Sequence, residues 1–156
     1  MTSTPSPYDL SAPSAQQQEQ LAAKLTAEER HILLQHGTEA PFCGGLLDHA
    51  EAGSYICKLC ALPLFTSEHK FDSGTGWPSF YTPYHVAHIK EVEDNSRGMR
   101  RTEVRCARCD SHMGHVFPDG PAPTGLRYCL NSAALDFHGH DQPKPDPLAR
   151  DEQDWR

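Results

Sequence analysis

The chain predicts a mainly β fold clamped by a metal ion, and three observations lead there. From Ser54 onward, short apolar or alternating runs are punctuated by Gly, Pro, Asp and Asn, the pattern of strands joined by tight turns. Proline occurs 13 times and glycine 11 times in 156 residues, which disfavours long helices. Four of the six cysteines form two Cys-x-x-Cys knuckles, Cys57-Lys58-Leu59-Cys60 and Cys106-Ala107-Arg108-Cys109. Four thiolates on paired turns suit a tetrahedral Zn²⁺, so one structural zinc ion per chain is expected.

The elements follow in order. Residues 1–20, rich in Ser, Thr, Pro and Gln, offer little to bury and read as a disordered tail. Thr26-Ala27-Glu28-Glu29 is a capping box ahead of Ile32, Leu33 and Leu34, and Gly37 is placed to stop the chain coiling further. One short helix is therefore expected over 26–36. Strands are expected at Ser54 to Ile56, Leu62 to Phe65, Val86 to Val92, Met99 to Cys106 and Leu126 to Leu135. In the fourth of these, Arg101, Glu103 and Arg105 alternate with Thr102, Val104 and Cys106, as in a half-exposed antiparallel strand running into a knuckle. A single domain over 21–140 accounts for these elements, and 141–156, with three prolines and mixed charge, reads as an extension.

Charge and hydropathy exclude several classes of function. A net charge of −7, from 21 acidic and 14 basic side chains, leaves no basic surface for nucleic acid. No run approaches the ~20 apolar residues of a membrane span, and the first 20 residues lack a charged start followed by an apolar stretch, so a cytoplasmic protein is expected. In a reducing compartment a Cys-x-x-Cys pair binds metal or does redox chemistry more often than it forms a structural disulfide. The knuckles lie much farther apart than the ~15–20 residues of a compact zinc ribbon, so a metal here would tie together remote parts of one domain. A redox pair or four merely buried cysteines are the alternatives. An all-thiolate site is closed to substrate, and chemistry must lie elsewhere.

Cys129 is the first candidate. In Leu126-Arg127-Tyr128-Cys129-Leu130-Asn131 a period of two puts Arg127, Cys129 and Asn131 on one face, where a guanidinium favours the thiolate and an amide orients a reacting oxygen. His112 and His115, in a loop just past the second knuckle, can supply a proton near neutral pH. Trp77 and Phe80, displayed from the Gly- and Pro-containing segment Phe71 to Phe80, can wall an apolar subsite, or simply pack the core.

Four segments now carry a family resemblance: FDSGTGWPSF (from Phe71), GMRRTEVRCARC (from Gly98), HMGHVF (from His112) and RYCLNSAAL (from Arg127). In this order, between these knuckles, the chain resembles the B-type methionine sulfoxide reductases over roughly Thr26 to Phe137. The resemblance implies two antiparallel sheets closing toward a small barrel and a structural Zn²⁺ on Cys57, Cys60, Cys106 and Cys109. It also implies Cys129 as nucleophile, His112, His115 and Asn131 around the sulfoxide oxygen, Arg127 supporting the thiolate, and Trp77 on the substrate methyl. The substrate would be oxidised methionine of the R configuration at sulfur, in proteins or as the free amino acid.

Attack by the thiolate on a protonated sulfoxide releases methionine and leaves Cys129 as a sulfenic acid, which a second thiol must reset. Many members of the family carry a cysteine where this chain has Thr75. With four thiols on metal, Cys43, in Pro41-Phe42-Cys43-Gly44-Gly45, is the remaining thiol and is expected to resolve the sulfenic acid as a disulfide that a thioredoxin-like partner reduces. Direct reduction by an external thiol is the alternative. The protein is expected to act as a monomer. Two other classes stay open: a zinc-ribbon interaction module without activity, and a peroxidase-like thiol enzyme.

Overall fold

The computed structural model describes residues 8, 10–40, 44–49 and 51–139, with the backbone alone at 97. Two helices precede two antiparallel sheets. Helix α1 (Ala15–Ala22) begins inside the segment 1–20 that composition assigns to a disordered tail and runs two residues past it. Its own capping box starts it: the Ser14 hydroxyl accepts from Gln17 N at 3.1 Å, and the Gln17 side chain accepts from Ser14 N at 2.9 Å. Leu21 is its buried residue, and Tyr8, upstream, packs edge-on to His88 with ring centroids 5.1 Å apart. One leucine and one tyrosine are a weak periodic signal, which is why composition alone misses them.

Helix α2 (Ala27–Gln35) forms where its capping box predicts, with Ile32 and Leu33 buried. Its end differs from expectation. The left-handed residue is His36 (φ 58°), not Gly37. Gly37 serves close approach instead, because a Cβ there would collide with the His31 ring.

Strands β1 (Gly53–Cys57) and β2 (Pro63–Thr66) form a three-stranded sheet with β9 (Leu135–Gly139), in the order β2-β1-β9. The larger sheet contains β3 (Lys70–Phe71), β4 (Ser79–Phe80), β5 (Ile89–Asp94), β6 (Arg101–Cys106), β7 (His112–Phe117) and β8 (Arg127–Leu130), in the order β3-β4-β8-β7-β6-β5. Among the described residues no ladder joins the two sheets, so the barrel closure implied by the resemblance is not found. The strands that could bridge them are too short. β3 and β4 have two residues each, and β2 runs straight into a 3₁₀ turn at Ser67–His69. Packing holds the sheets together instead: Phe65 of the small sheet stacks on Phe80 of the large one at 4.7 Å, and Tyr55 meets Phe80 edge-on at 5.1 Å.

The segment His112–Phe117, expected as a loop, is a strand near the middle of the large sheet. It is covered on both faces, so its sequence lacks the alternation that marks a half-exposed strand, and its two histidines and glycine disguise it further. No helix among the described residues is long and apolar enough to cross a membrane.

Candidate active site and cysteine clamp

The two knuckles fold alike. Each begins at the end of a strand, Cys57 closing β1 and Cys106 closing β6. Each turns back on two backbone hydrogen bonds, Ala61 N to Cys57 O at 2.8 Å with Cys57 N to Leu62 O at 2.9 Å, and Asp110 N to Cys106 O at 2.9 Å with Cys106 N to Ser111 O at 2.9 Å. Each places the residue after its second cysteine in the left-handed region, Ala61 at φ 68° and Asp110 at φ 65°. The four sulfurs converge, with Cys57 Sγ 3.6 Å from Cys109 Sγ and Cys60 Sγ 3.5 Å from Cys106 Sγ. All four are buried and lie within 4.8 Å of one another, a group that can hold a metal ion. Tetrahedral Zn–S bonds of about 2.3 Å require sulfur–sulfur edges of about 3.8 Å, so small shifts would accommodate zinc. A metal here joins the small sheet, through β1, to the large sheet, through β6.

The clamp also positions β7. Ser111, whose hydroxyl lies 3.1 Å from Cys109 Sγ, directly precedes that strand. In β7, His115 pairs with Cys129 of β8. Gly114 permits this approach, since a Cβ there would strike the Cys129 carbonyl. By the period of a strand, His112 and His115 should face opposite ways. A bulge overrides this: Glu103 of β6 opposes His115, Val104 opposes Gly114, and Arg105 opposes His112, leaving Met113 as the extra residue. The two imidazoles come within 5.5 Å, centroid to centroid, and Met113 enters the core.

Each histidine has a carboxylate behind it. His112, 2% exposed, shares a 2.7 Å hydrogen bond from Nδ1 to Glu103 Oε2, and His115 Nε2 lies 2.8 Å from Asp94 Oδ2. Burial lowers the His112 pKa, against the opposing pull of Glu103. Burial pushes Glu103 up, but hydrogen bonds from Arg105, His112 and His36 outweigh it and hold the carboxyl at about 2. Asp94 is held below the usual carboxylate range by hydrogen bonds from Ser96 first and His115 second.

Cys129 opens onto a cavity of about 200 Å³ lined by Trp77, Phe117, Leu130, His115, Asn131 and Arg127, among others. Its Sγ lies 3.8 Å from Thr75 Oγ1, which is joined through Ser73 (2.8 Å) to Ser79 (2.7 Å). Asn131 is fixed by its neighbours: Oδ1 accepts from Glu39 N at 3.0 Å, and Nδ2 donates to Met113 O at 3.1 Å. One Nδ2 hydrogen remains for a ligand. The Trp77 indole donates to Glu39 O at 3.0 Å, so a single extended segment sets both the amide and the aromatic wall.

Several expectations change here. Arg127 does not dominate the thiol: burial raises the Cys129 pKa, and Thr75, Arg127 and Ser79 offset it only in part. The guanidinium instead makes two hydrogen bonds to Asp119, at 2.9 and 3.2 Å, and stacks on Phe117 at 4.5 Å. Phe80, expected beside the substrate, is fully buried in the core and is not among the residues lining this cavity. His112 stands behind His115, outside the cavity lining, while His115, Asn131, Arg127 and Trp77 line it together. Cys43 lies outside the described residues. Glu39, Asp94, Glu103 and Ser79 escape sequence reading, because each meets its partner across a fold contact; Glu39 and Asn131 are separated by 92 positions.

A thiol on an aromatic-walled cavity, with an amide and a carboxylate-backed imidazole in the same lining, defines a site for nucleophilic thiol chemistry. The SelR domain model matches residues 25–139. A peptide methionine sulfoxide reductase MsrB of Caulobacter vibrioides is 62% identical over 143 residues, covering 92% of this chain and 90% of the relative. The protein of that name from Xylella fastidiosa (strain M23) is 60% identical, covering 92% of both chains, and that from Thiobacillus denitrificans is 55% identical over 78% of this chain and 92% of its own. The chain belongs to the SelR-domain family, the B-type methionine sulfoxide reductases.

Proposed function

We propose that this protein reduces the R epimer of methionine sulfoxide, in proteins and as the free amino acid, through a sulfenic acid on Cys129. The carrying observation is the Cys129 thiol facing a small cavity walled by Trp77 and Phe117, because a methyl sulfoxide presents an apolar methyl beside one strongly accepting oxygen. The methyl packs on the indole. The oxygen meets the free Nδ2 hydrogen of Asn131 and the His115 imidazole.

Cys129 must lose its proton before it attacks sulfur. A proton goes to the sulfoxide oxygen, the bond from that oxygen to the methionine sulfur breaks as the oxygen bonds to the Cys129 sulfur, and methionine leaves with Cys129 as the sulfenic acid. The enzyme sulfur is oxidised by two electrons and the substrate sulfur reduced by two. Because burial disfavours the free thiolate, deprotonation belongs to the substrate-bound state, where Thr75, Arg127 and the sulfoxide dipole act together. His112 and Glu103 form the layer behind His115.

In this reading Zn²⁺ occupies Cys57, Cys60, Cys106 and Cys109 and serves the fold. The Cys43 thiol condenses with the sulfenic acid, releasing water, and a thioredoxin-like dithiol reduces the resulting disulfide in a reducing compartment. Turnover of separated R and S epimers of a methionine sulfoxide peptide tests the reading, with R-only reduction expected; equal use of both epimers, or of neither, refutes it. Cys43→Ser should still release one equivalent of methionine in a single turnover yet lose thioredoxin-driven cycling. Unchanged cycling would assign reduction to an external thiol.

A further inference from the structure

We propose that His36, Glu103 and His112 form a second metal site, separate from the cysteine clamp, for a first-row divalent cation that prefers nitrogen ligands. Glu103 Oε2 lies 2.7 Å from His36 Nδ1 and 2.7 Å from His112 Nδ1, and the three atoms fall within 4.8 Å of one another. Two imidazole nitrogens and one carboxylate oxygen this close together are a ligand set for Zn²⁺, Ni²⁺, Co²⁺ or Fe²⁺, and a poor one for Mg²⁺ or Ca²⁺. Metal–ligand bonds of about 2.1 Å separate neighbouring ligands by about 3.0 Å in an octahedral site and about 3.4 Å in a tetrahedral one, so each contact with Glu103 would open by roughly 0.3–0.7 Å.

The surroundings suit a cation. Arg105 Nη2 holds the other carboxylate oxygen, Oε1, at 2.9 Å, leaving Oε2 to the two imidazoles. Both nearby guanidiniums are engaged with carboxylates, Arg101 with Asp94 at 3.3 Å and Arg105 with Glu103 and Asp110. The site also has an entrance. A cavity of about 320 Å³ is bounded by His36, Glu103 and His112 with Glu93, Asp94 and His115, and the His36 side chain is 49% exposed. Three carboxylates, Glu93, Asp94 and Glu103, line the cavity together with two guanidiniums, Arg101 and Arg105. His112 meanwhile keeps its buried Nε2 without a hydrogen-bond partner.

Occupancy has a chemical consequence. A cation on Nδ1 displaces the proton shared with Glu103, so each neutral ring carries its proton on Nε2 instead, and His112 can no longer become an imidazolium. The layer that supports His115 is then fixed in one protonation state. This consequence, unlike the binding itself, rests on the sulfoxide-reductase reading.

The test separates the two. Calorimetric titration of Ni²⁺ into metal-replete Cys129→Ser protein, in which the reactive thiol cannot compete, should show one Ni²⁺ per chain with the clamp metal content unchanged. His36→Asn, an exchange suited to a left-handed backbone, should weaken that binding by at least ~10-fold, since even outer-layer changes cost metal sites this much. Co²⁺ in the site should give weak d–d bands without thiolate charge-transfer absorption. Absence of binding, unchanged affinity in His36→Asn, or thiolate bands would overturn the proposal. With Cys129 intact, Ni²⁺ should slow single-turnover methionine release in the wild type and spare His36→Asn. Equal slowing in both would refute the catalytic consequence while leaving the calorimetric result to decide the site.

Discussion

The cysteines of the clamp and Cys129 sit in the same small protein and are governed by opposite surroundings. Cys57, Cys60, Cys106 and Cys109 are buried, face one another at 3.5–3.6 Å across two similar turns, and leave no approach for a substrate. Cys129 is half-buried, has a hydroxyl 3.8 Å away instead of a thiol, and opens onto an aromatic-walled cavity. The difference lies in company more than in burial. Sulfurs that meet other sulfurs suit a metal, whereas a sulfur that meets a hydroxyl and shares a cavity with an amide and an imidazole suits a reaction.

The largest effect that would break this contrast is at the clamp. Cys60→Ser should remove the bound metal and the cooperative fold together, since closed zinc sites of this kind contribute on the order of 10–16 kcal/mol in small peptides. Elemental analysis beside a thermal melt checks it, and a metal-free protein with an unchanged melt would contradict the structural role. At the other thiol, Cys129→Ser should keep the wild-type melt and lose all turnover. His115→Ala should slow methionine release in a single turnover by ~10²–10⁴-fold, the range of positioned acid catalysis. A loss below tenfold would move the proton donor elsewhere.

Smaller effects sharpen the comparison. Because burial raises the Cys129 pKa, its alkylation by iodoacetamide in the free enzyme should be slow at neutral pH and climb with a midpoint above the ordinary thiol value of 9.0. Thr75→Ala, which removes a contact favouring the thiolate, should shift that midpoint higher still. A midpoint below 9.0 would mean that Arg127 outweighs burial. Glu103 provides the acid-side counterpart. Its folded pKa of about 2 lies below the ordinary 4.5, so its stabilisation is complete above pH 4.5 and is lost as pH falls toward 2. That difference corresponds to on the order of 3 kcal/mol. In urea melts Glu103→Gln should therefore flatten the acid dependence of stability, and a variant with an unchanged acid limb would rule out Glu103 as its source.

Local pattern determined a good part of this molecule. The capping box at Thr26, the period-two runs now in β1, β6 and β8, and the doubled Cys-x-x-Cys spacing each act within a few residues, where backbone geometry leaves little choice. The same rule puts Cys129 with Arg127 and Asn131 on one strand face. Tertiary structure decided the rest. That His112–Phe117 is a buried strand, that a bulge turns His112 and His115 to one side, that Phe80 fills the core and that the two sheets stay open all depend on remote elements. The Cys129 thiol shows why most plainly: the arginine two positions before it predicts a thiolate, but Asp119 engages that arginine and partial burial raises the thiol pKa. Charge and desolvation act through space, so a group's ionisation is fixed by the neighbours that folding brings to it and not by those the chain places next to it.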